Sequence, residues 1–300
     1  MKTNGRYDVN TRQKDRSARR LGQAHRGAFR APRRCAADQH PIRLLELEPN
    51  QPLGEDMIEL DLLTAKRIVL QADSVQCRLA DLVPAARELS DMIVAQAQAH
   101  ARNLGACVPC RKGCAACCSY LVPLSAPEAA SLAENIAKLP LNQQADIEMR
   151  FLDASRRLLA SPPPALDQHD QRQNLQRISQ WYLDAGVTCP LLSEGLCTIY
   201  AARPLACREH FVTSSPSECS PGDGSTKPLL GVLPLSVAGA LMDVSMSLEG
   251  ASDASTMLPL ALNQVRQNPH RASRLYPARL LAQQFAAALY TARGHADIHS

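Results

Sequence analysis

What is scarce in this sequence narrows its reading first. Aromatic residues make up only 4% of the 300 positions, so the core must be assembled mainly from aliphatic side chains. No apolar run is long enough to span a bilayer. The most apolar stretch, Leu229 to Leu241, is broken by Gly231, Pro234 and Gly239 and meets Asp243, so it reads as buried core rather than as a membrane span. The N-terminus lacks the continuous apolar segment of a secretory signal, and the expected location is cytoplasmic. That compartment argues against a disulfide framework. The chain also lacks the glycine-rich dinucleotide and phosphate loops, the His-Glu-x-x-His zinc helix and the Gly-x-Ser-x-Gly elbow, which removes the commonest cofactor and hydrolase chemistries.

Charge of one sign is nearly missing from the first 35 residues. Eleven of the 33 basic residues and two of the 29 acidic ones lie there, a net of +9 that leaves −5 for the remainder. A basic tail can touch an acidic surface or nucleic acid, but no aromatic or glycine-periodic pattern supports a nucleic-acid module. Residues 1–45 are therefore expected to be a disordered extension, followed by a linker around Pro49 and Pro52.

What is abundant is alanine and leucine, and the fold class this implies is mainly α. Apolar periodicity predicts helices over Met57–Leu70, Leu79–Asn103, Ala126–Leu139, Asn142–Leu159 and Asp170–Leu183. Three more follow at Leu235–Leu248, Leu258–Gln267 and Ala278–Arg293. Ser125 and Glu128 have the spacing of a capping box, with Pro127 tolerated in the first turn. The expected organisation is a helical cysteine-cluster domain over residues 57–225 and a helical C-terminal segment over 226–300 packed on it.

Eight of the eleven cysteines fall into two groups. The first is Cys110, Cys114, Cys117 and Cys118; the second is Cys189, Cys197, Cys207 and Cys219. Short spacings let thiolates converge on one centre, and Gly113 allows the tight turn this needs. Four thiolates suit either Zn2+ or an iron–sulfur cluster, with iron–sulfur slightly favoured here. Adjacent Cys117 and Cys118 diverge in any regular backbone, so they either serve different centres or one of them is not a ligand. Eight thiols allow two four-thiolate sites, or one with four supporting thiols. Cys35 and Cys77 read as ordinary thiols and Cys107 as a spare. Pro204 suits the start of a helix whose N-terminus, with Arg203 and Arg208, would favour the Cys207 thiolate. His210, His295 and His299 read as non-ligands. The expected architecture is thus a helical domain in which a loop-rich, cysteine-ligated metal or iron–sulfur site joins two segments.

These residues resemble the YkgJ-type cysteine-cluster proteins, a family associated with zinc or iron chelation. The likeness rests on Cys110-x3-Cys114-x2-Cys117-Cys118 followed by Val122-Pro-Leu-Ser125-x2-Glu128-Ala129. It continues through Cys189-Pro-Leu-Leu, Gly195-Leu-Cys197-x-Ile199-Tyr200-x2-Arg203-Pro204-x2-Cys207-Arg208, and Cys219. It covers about residues 107–220. The resemblance implies metal binding without assignable catalysis. Through the related flagellin lysine N-methylases it also implies a cluster-dependent protein-lysine methyltransferase as an alternative. A zinc-stabilised interaction module is the third reading. A metal or cluster is the expected partner and a protein partner stays open, whereas nucleic acid and membrane are not expected.

Overall fold

Strand formation begins inside the stretch expected to be tail. The computed structural model describes residues 40–62, 64, 66–167, 170–219, 228–250 and 254–292, and the expectation for residues 1–39 lies outside it. Ile42–Leu47 form strand β1, with Ile42 fully buried, so the tail ends before them. Met57–Leu60 (β2) and Arg67–Ala72 (β3) are strands as well. This corrects the helix expected over Met57–Leu70. The sheet is antiparallel in the order β1-β3-β2. Ile68, Val69 and Leu70 are buried in succession. In a helix these three would point about 100° apart, whereas a central strand buries both faces of its pleat. Two β-branched residues in that run also favour the strand.

The remaining elements are short strands and helices. Gln76–Arg78 (β4) leads through a 3-10 turn into Val83–Asn103 (α1). After the first cysteine block come Pro123–Ser125 (β5), Ala126–Ala137 (α2), Leu141–Ala160 (α3) and Gln171–Asp184 (α4). Leu192–Ser193 (β6), Leu196–Cys197 (β7) and the one-turn helix Leu205–Glu209 (α5) carry the second block. The chain closes with Val237–Glu249 (α6), Ser255–Met257 (β8), Ala261–Gln267 (α7), Pro269–Ser273 (α8), Leu275–Pro277 (β9) and Ala278–Ala292 (α9). β4 pairs with β9 and β5 with β8, tying distant segments together. The expected helices from Leu79 onward are present, within a few residues at each end.

Two main cores result. In the first, one face of α1 (Val83, Ala86, Leu89, Ile93) packs with the sheet, α6 and α9, and Leu205 of α5 joins them. In the second, α2, α3 and α7 pack through Leu132, Ile147, Phe151 and Leu262, and Cys189, Cys197 and Cys207 lie against this cluster. The stretch read as uniformly buried, Leu229–Leu241, divides in two. Leu235, Val237, Ala240 and Leu241 are buried, but Leu229, Leu230 and Val232 are exposed. The exposed half runs as a bridge along Phe211–Thr213, where the Gly231 amide donates to the Phe211 carbonyl at 2.8 Å. Its side chains therefore point outward.

Because β1 carries the buried Ile42 and Leu47, it should be needed for stability. A chain starting at Met57 should unfold at lower denaturant than one starting at His40. Each buried aliphatic side chain removed costs about 1.5–3 kcal/mol. Chemical denaturation of both chains measures this, and equal midpoints would make β1 peripheral.

Candidate metal centre

The first cysteine block is held by very little packing. No side chain from residue 104 to 121 is buried. Gly113 turns the chain with φ 91°, a conformation that costs glycine nothing, and the Cys114 amide closes that turn on the Arg111 carbonyl at 3.0 Å. Ala116–Ser119 then form a 3-10 helix, so the side chains of Cys117 and Cys118 leave it about 120° apart. Each thiol nonetheless acts on the ionisation of the other.

The second block begins by docking on the first. The Cys189 amide donates to the Cys118 carbonyl at 2.8 Å. β6 and β7 form a two-residue hairpin that brings Cys197 back opposite Leu192. Its central residues, Glu194 and Gly195, have φ of 50° and 76°, the type I′ geometry that matches strand twist. Cys207 lies in the middle of α5. Pro216–Cys219 is a second 3-10 helix that packs against Ala116–Ser119, carrying the buried Cys219 toward Cys117.

α5 is where the site meets the rest of the molecule. The Leu205 amide, at its first turn, donates to Oε1 of Glu128 at 2.8 Å. Oε2 of the same carboxylate accepts the Ser125 amide at 3.1 Å and the Ser125 hydroxyl at 2.9 Å. Glu128 therefore completes the expected capping box on α2 and also caps α5. Burial pushes its carboxyl up, opposed by those donors and by the charge of Arg87. At the other end of α5, Arg208 pairs with Asp91 of α1 and donates to the Arg203 and Ala201 carbonyls. Glu209 accepts from the Ser236 hydroxyl at 2.7 Å and the Ala238 amide at 2.9 Å, capping α6. Burial lifts its carboxyl to about 6 against the pull of those donors.

The thiols are crowded with one another. Cys110 is pushed up by burial, opposed by a hydrogen bond from the Val212 amide, with the charges of Cys114 and Cys117 adding to the rise. Cys118 reaches about 11: the Cys117 thiol pulls it down, while the Cys189 thiol and burial push it up by more. Cys207, half-buried, is raised by burial and then by Cys117, Cys197 and Cys118. Cys219 is raised by burial and then by Cys110, Cys114 and Cys117. One cation opposes these effects. Arg203 lies over the Tyr200 ring at 4.4 Å and acts to lower Cys110, Cys117, Cys197 and Cys207. Arg208, expected to share that task, instead turns to Asp91.

All eight cysteines are free thiols. Among the described residues, no three Cys, His, Asp or Glu side chains stand at metal-ligand separation. Each cysteine turns on a single torsion whose staggered wells move the sulfur while the backbone stays in place. As a donor set, eight soft thiols fit zinc or an iron–sulfur cluster and suit a hard oxygen-preferring cation poorly.

Residues 109–220 match the CxxCxxCC family model, described as "Putative zinc- or iron-chelating domain". The matched segment is about a third of the chain and contains all eight cysteines. No match was found among curated proteins or among solved structures. Cys107 falls outside the CxxCxxCC segment and is exposed. Cys77 is buried in β4 with its thiol pushed up by burial to about 12, so it is a core residue. His210 is partly buried with its ring 6.4 Å from that of Tyr120. Cys35, His295 and His299 lie outside the described residues. Among the described residues, no helix is long and apolar enough to cross a membrane.

Sequence spacing flagged Glu128 as a helix cap but missed its second duty, because Leu205 is 77 positions away. Within the CxxCxxCC segment this carboxylate links the helix that follows the first block to the short helix inside the second. Glu128→Gln should destabilise the protein nearly as much as Glu128→Ala, since an amide NH2 would face the Leu205 or Ser125 donors. The expected loss is about 1–3 kcal/mol for each buried donor left unpaired. Denaturant unfolding measures it, and a wild-type midpoint for Glu128→Gln would remove the carboxylate from that role.

Proposed function

We propose that this chain is a metal-binding protein that holds zinc or an iron–sulfur cluster through Cys110, Cys114, Cys117, Cys118, Cys189, Cys197, Cys207 and Cys219. The observation that carries this reading is the joining of the two blocks at Cys118 and Cys189, where the amide of one donates to the carbonyl of the other at 2.8 Å. Crowded thiols have little reason to share a site unless a cation stabilises their thiolates, and a bound metal supplies that charge. In this reading the protein's own residues do three things. The eight thiols bind. Arg203 adds a fixed positive charge beside four of them. Glu128, Arg208 and Glu209 hold α5, and with it Cys207, against α2, α1 and α6.

Anaerobic purification followed by metal analysis and a visible spectrum tests the reading. Iron with acid-labile sulfide and brown colour identifies an iron–sulfur cluster, and a colourless protein with zinc in whole-number ratio identifies a zinc site. A folded protein that carries neither refutes the proposal.

Removing the metal should affect the two blocks unequally. In the second block Leu191, Ile199, Leu205, Phe211 and Val212 are all buried. The first block has no buried side chain between residues 104 and 121. Backbone ordering costs about 1–2 kcal/mol per residue, and in the first block only partial burial offsets it. Chelation should therefore open the chain to trypsin at Arg111 and Lys112 while the Val187–Val212 stretch stays comparatively protected. Peptide mapping by mass spectrometry reads both, and equal protection of the first block with and without metal would show that its order does not depend on metal.

A further inference from the structure

The outer face of α3 is apolar where a solvent-facing helix is normally polar. At about 100° per residue, Leu141, Ala145, Met149, Leu152, Arg156 and Leu159 fall within about 80° of one another around the helix. They lie on the far side from Ile147, Phe151, Ala154 and Leu158, which are buried. All six are exposed, the three leucines and Met149 by 50% to 81%. From Leu141 to Leu159 this stripe runs about 27 Å along the axis. A helix at the surface of a monomer turns charged and polar side chains outward, whereas a contiguous exposed apolar patch marks an interaction site.

The charges beside the stripe indicate what covers it. Of the charged side chains on α3, Glu148 pairs with Arg266 at 2.8 Å, Asp153 pairs with Arg157 at 2.8 Å, and Arg150 donates to the Pro190 carbonyl at 2.9 Å. Asp146 and Arg156 are the two that remain, of opposite sign and without a partner among the described residues. Ten residues separate them, about 15 Å along the helix, so they cannot reach each other. A second α3 laid antiparallel on the stripe, centred between Met149 and Leu152, changes that. Arg156 of each copy then stands within one residue of the level of Asp146 of the other, and Met149 stands level with Leu152. A parallel arrangement would instead set Asp146 beside Asp146 and Arg156 beside Arg156. We propose that α3 is a self-association surface, on which two copies of this chain pair their α3 helices antiparallel through the apolar stripe. The contact is isologous, so the Asp146–Arg156 pair occurs twice, once on each side of the two-fold axis. Burial of the stripe supplies the affinity, and the ion pairs set direction and register. Arg150 ties the same helix to the second cysteine block at Pro190, next to Cys189.

Sedimentation velocity of the full chain over a concentration series tests this, with a phosphine reductant present so that no disulfide can join two chains. The expected result is a reversible dimer of twice 32.6 kDa. Leu152→Lys, at an exposed position, should keep the helical content of the wild type and sediment as a monomer. Asp146→Arg and Arg156→Asp each place like charges opposite one another and should weaken the dimer by about ten-fold or more. The double variant carrying both should recover the wild-type dimer, a rescue that neither misfolding nor another contact face would produce. A wild-type chain that stays monomeric at every concentration overturns the proposal and leaves the stripe to a different protein. A dimer that survives Leu152→Lys overturns it as well, because the contact then lies elsewhere. A double variant no better associated than the single ones overturns the antiparallel pairing.

Discussion

One buried carboxylate holds this molecule together in the place where its chemistry would reside. Glu128 takes the amides of Ser125 and Leu205 on its two oxygens. In doing so it fastens the strand and helix that follow the first cysteine block to the short helix inside the second. A carboxylate so enclosed is costly unless its lone pairs are filled, and here backbone donors from two distant segments fill them. That requirement makes the link demanding. Neither segment can shift without leaving a buried acceptor or donor unpaired, so the position of α5 on the start of α2 is fixed by hydrogen bonding.

The helix that Glu128 caps has only five residues, and four of them connect to different parts of the structure. Leu205 enters the first core, Cys207 faces the other thiols, Arg208 reaches Asp91 on α1, and Glu209 caps α6. A helix of this length has almost no stability of its own. Its order comes entirely from its neighbours, which makes it a junction between the hydrophobic core and the cysteine site. Disturbance at the thiols and disturbance in the core should therefore be felt by one another through this turn.

The surroundings of the two blocks differ in kind. The second lies on buried leucine, isoleucine and phenylalanine, so burial supplies much of its order. The first is an exposed loop whose internal structure amounts to a glycine turn and one 3-10 helix. Crowding of thiols raises the cost of ionising any one of them, and a cation among them reverses that balance. The same set of side chains thus resists ionisation on its own and would ionise readily beside a bound cation. Arg203 acts in the same direction on four of the thiols.

Much of this was legible in the sequence because it depends on local spacing. The amphipathic helices from Leu79 onward, the Ser125–Glu128 capping box, the turn at Gly113 and the two cysteine blocks each follow from residues within a few positions of one another. The strands at Ile42–Leu47, Met57–Leu60 and Arg67–Ala72 were not legible. Ile68, Val69 and Leu70 form a continuous apolar run, and which structure buries all three depends on what covers each side. The role of Leu205 as the partner of Glu128 was hidden for a similar reason, since the two lie far apart in the chain and meet only in the fold. The sequence by itself determined which residues could bind a metal, because thiol chemistry and loop spacing are local properties. Only the tertiary structure decided which cysteine-bearing segments are neighbours: helix packing sets Pro216–Cys219 against Ala116–Ser119, and a backbone hydrogen bond sets Cys189 on Cys118, neither of which follows from spacing along the chain.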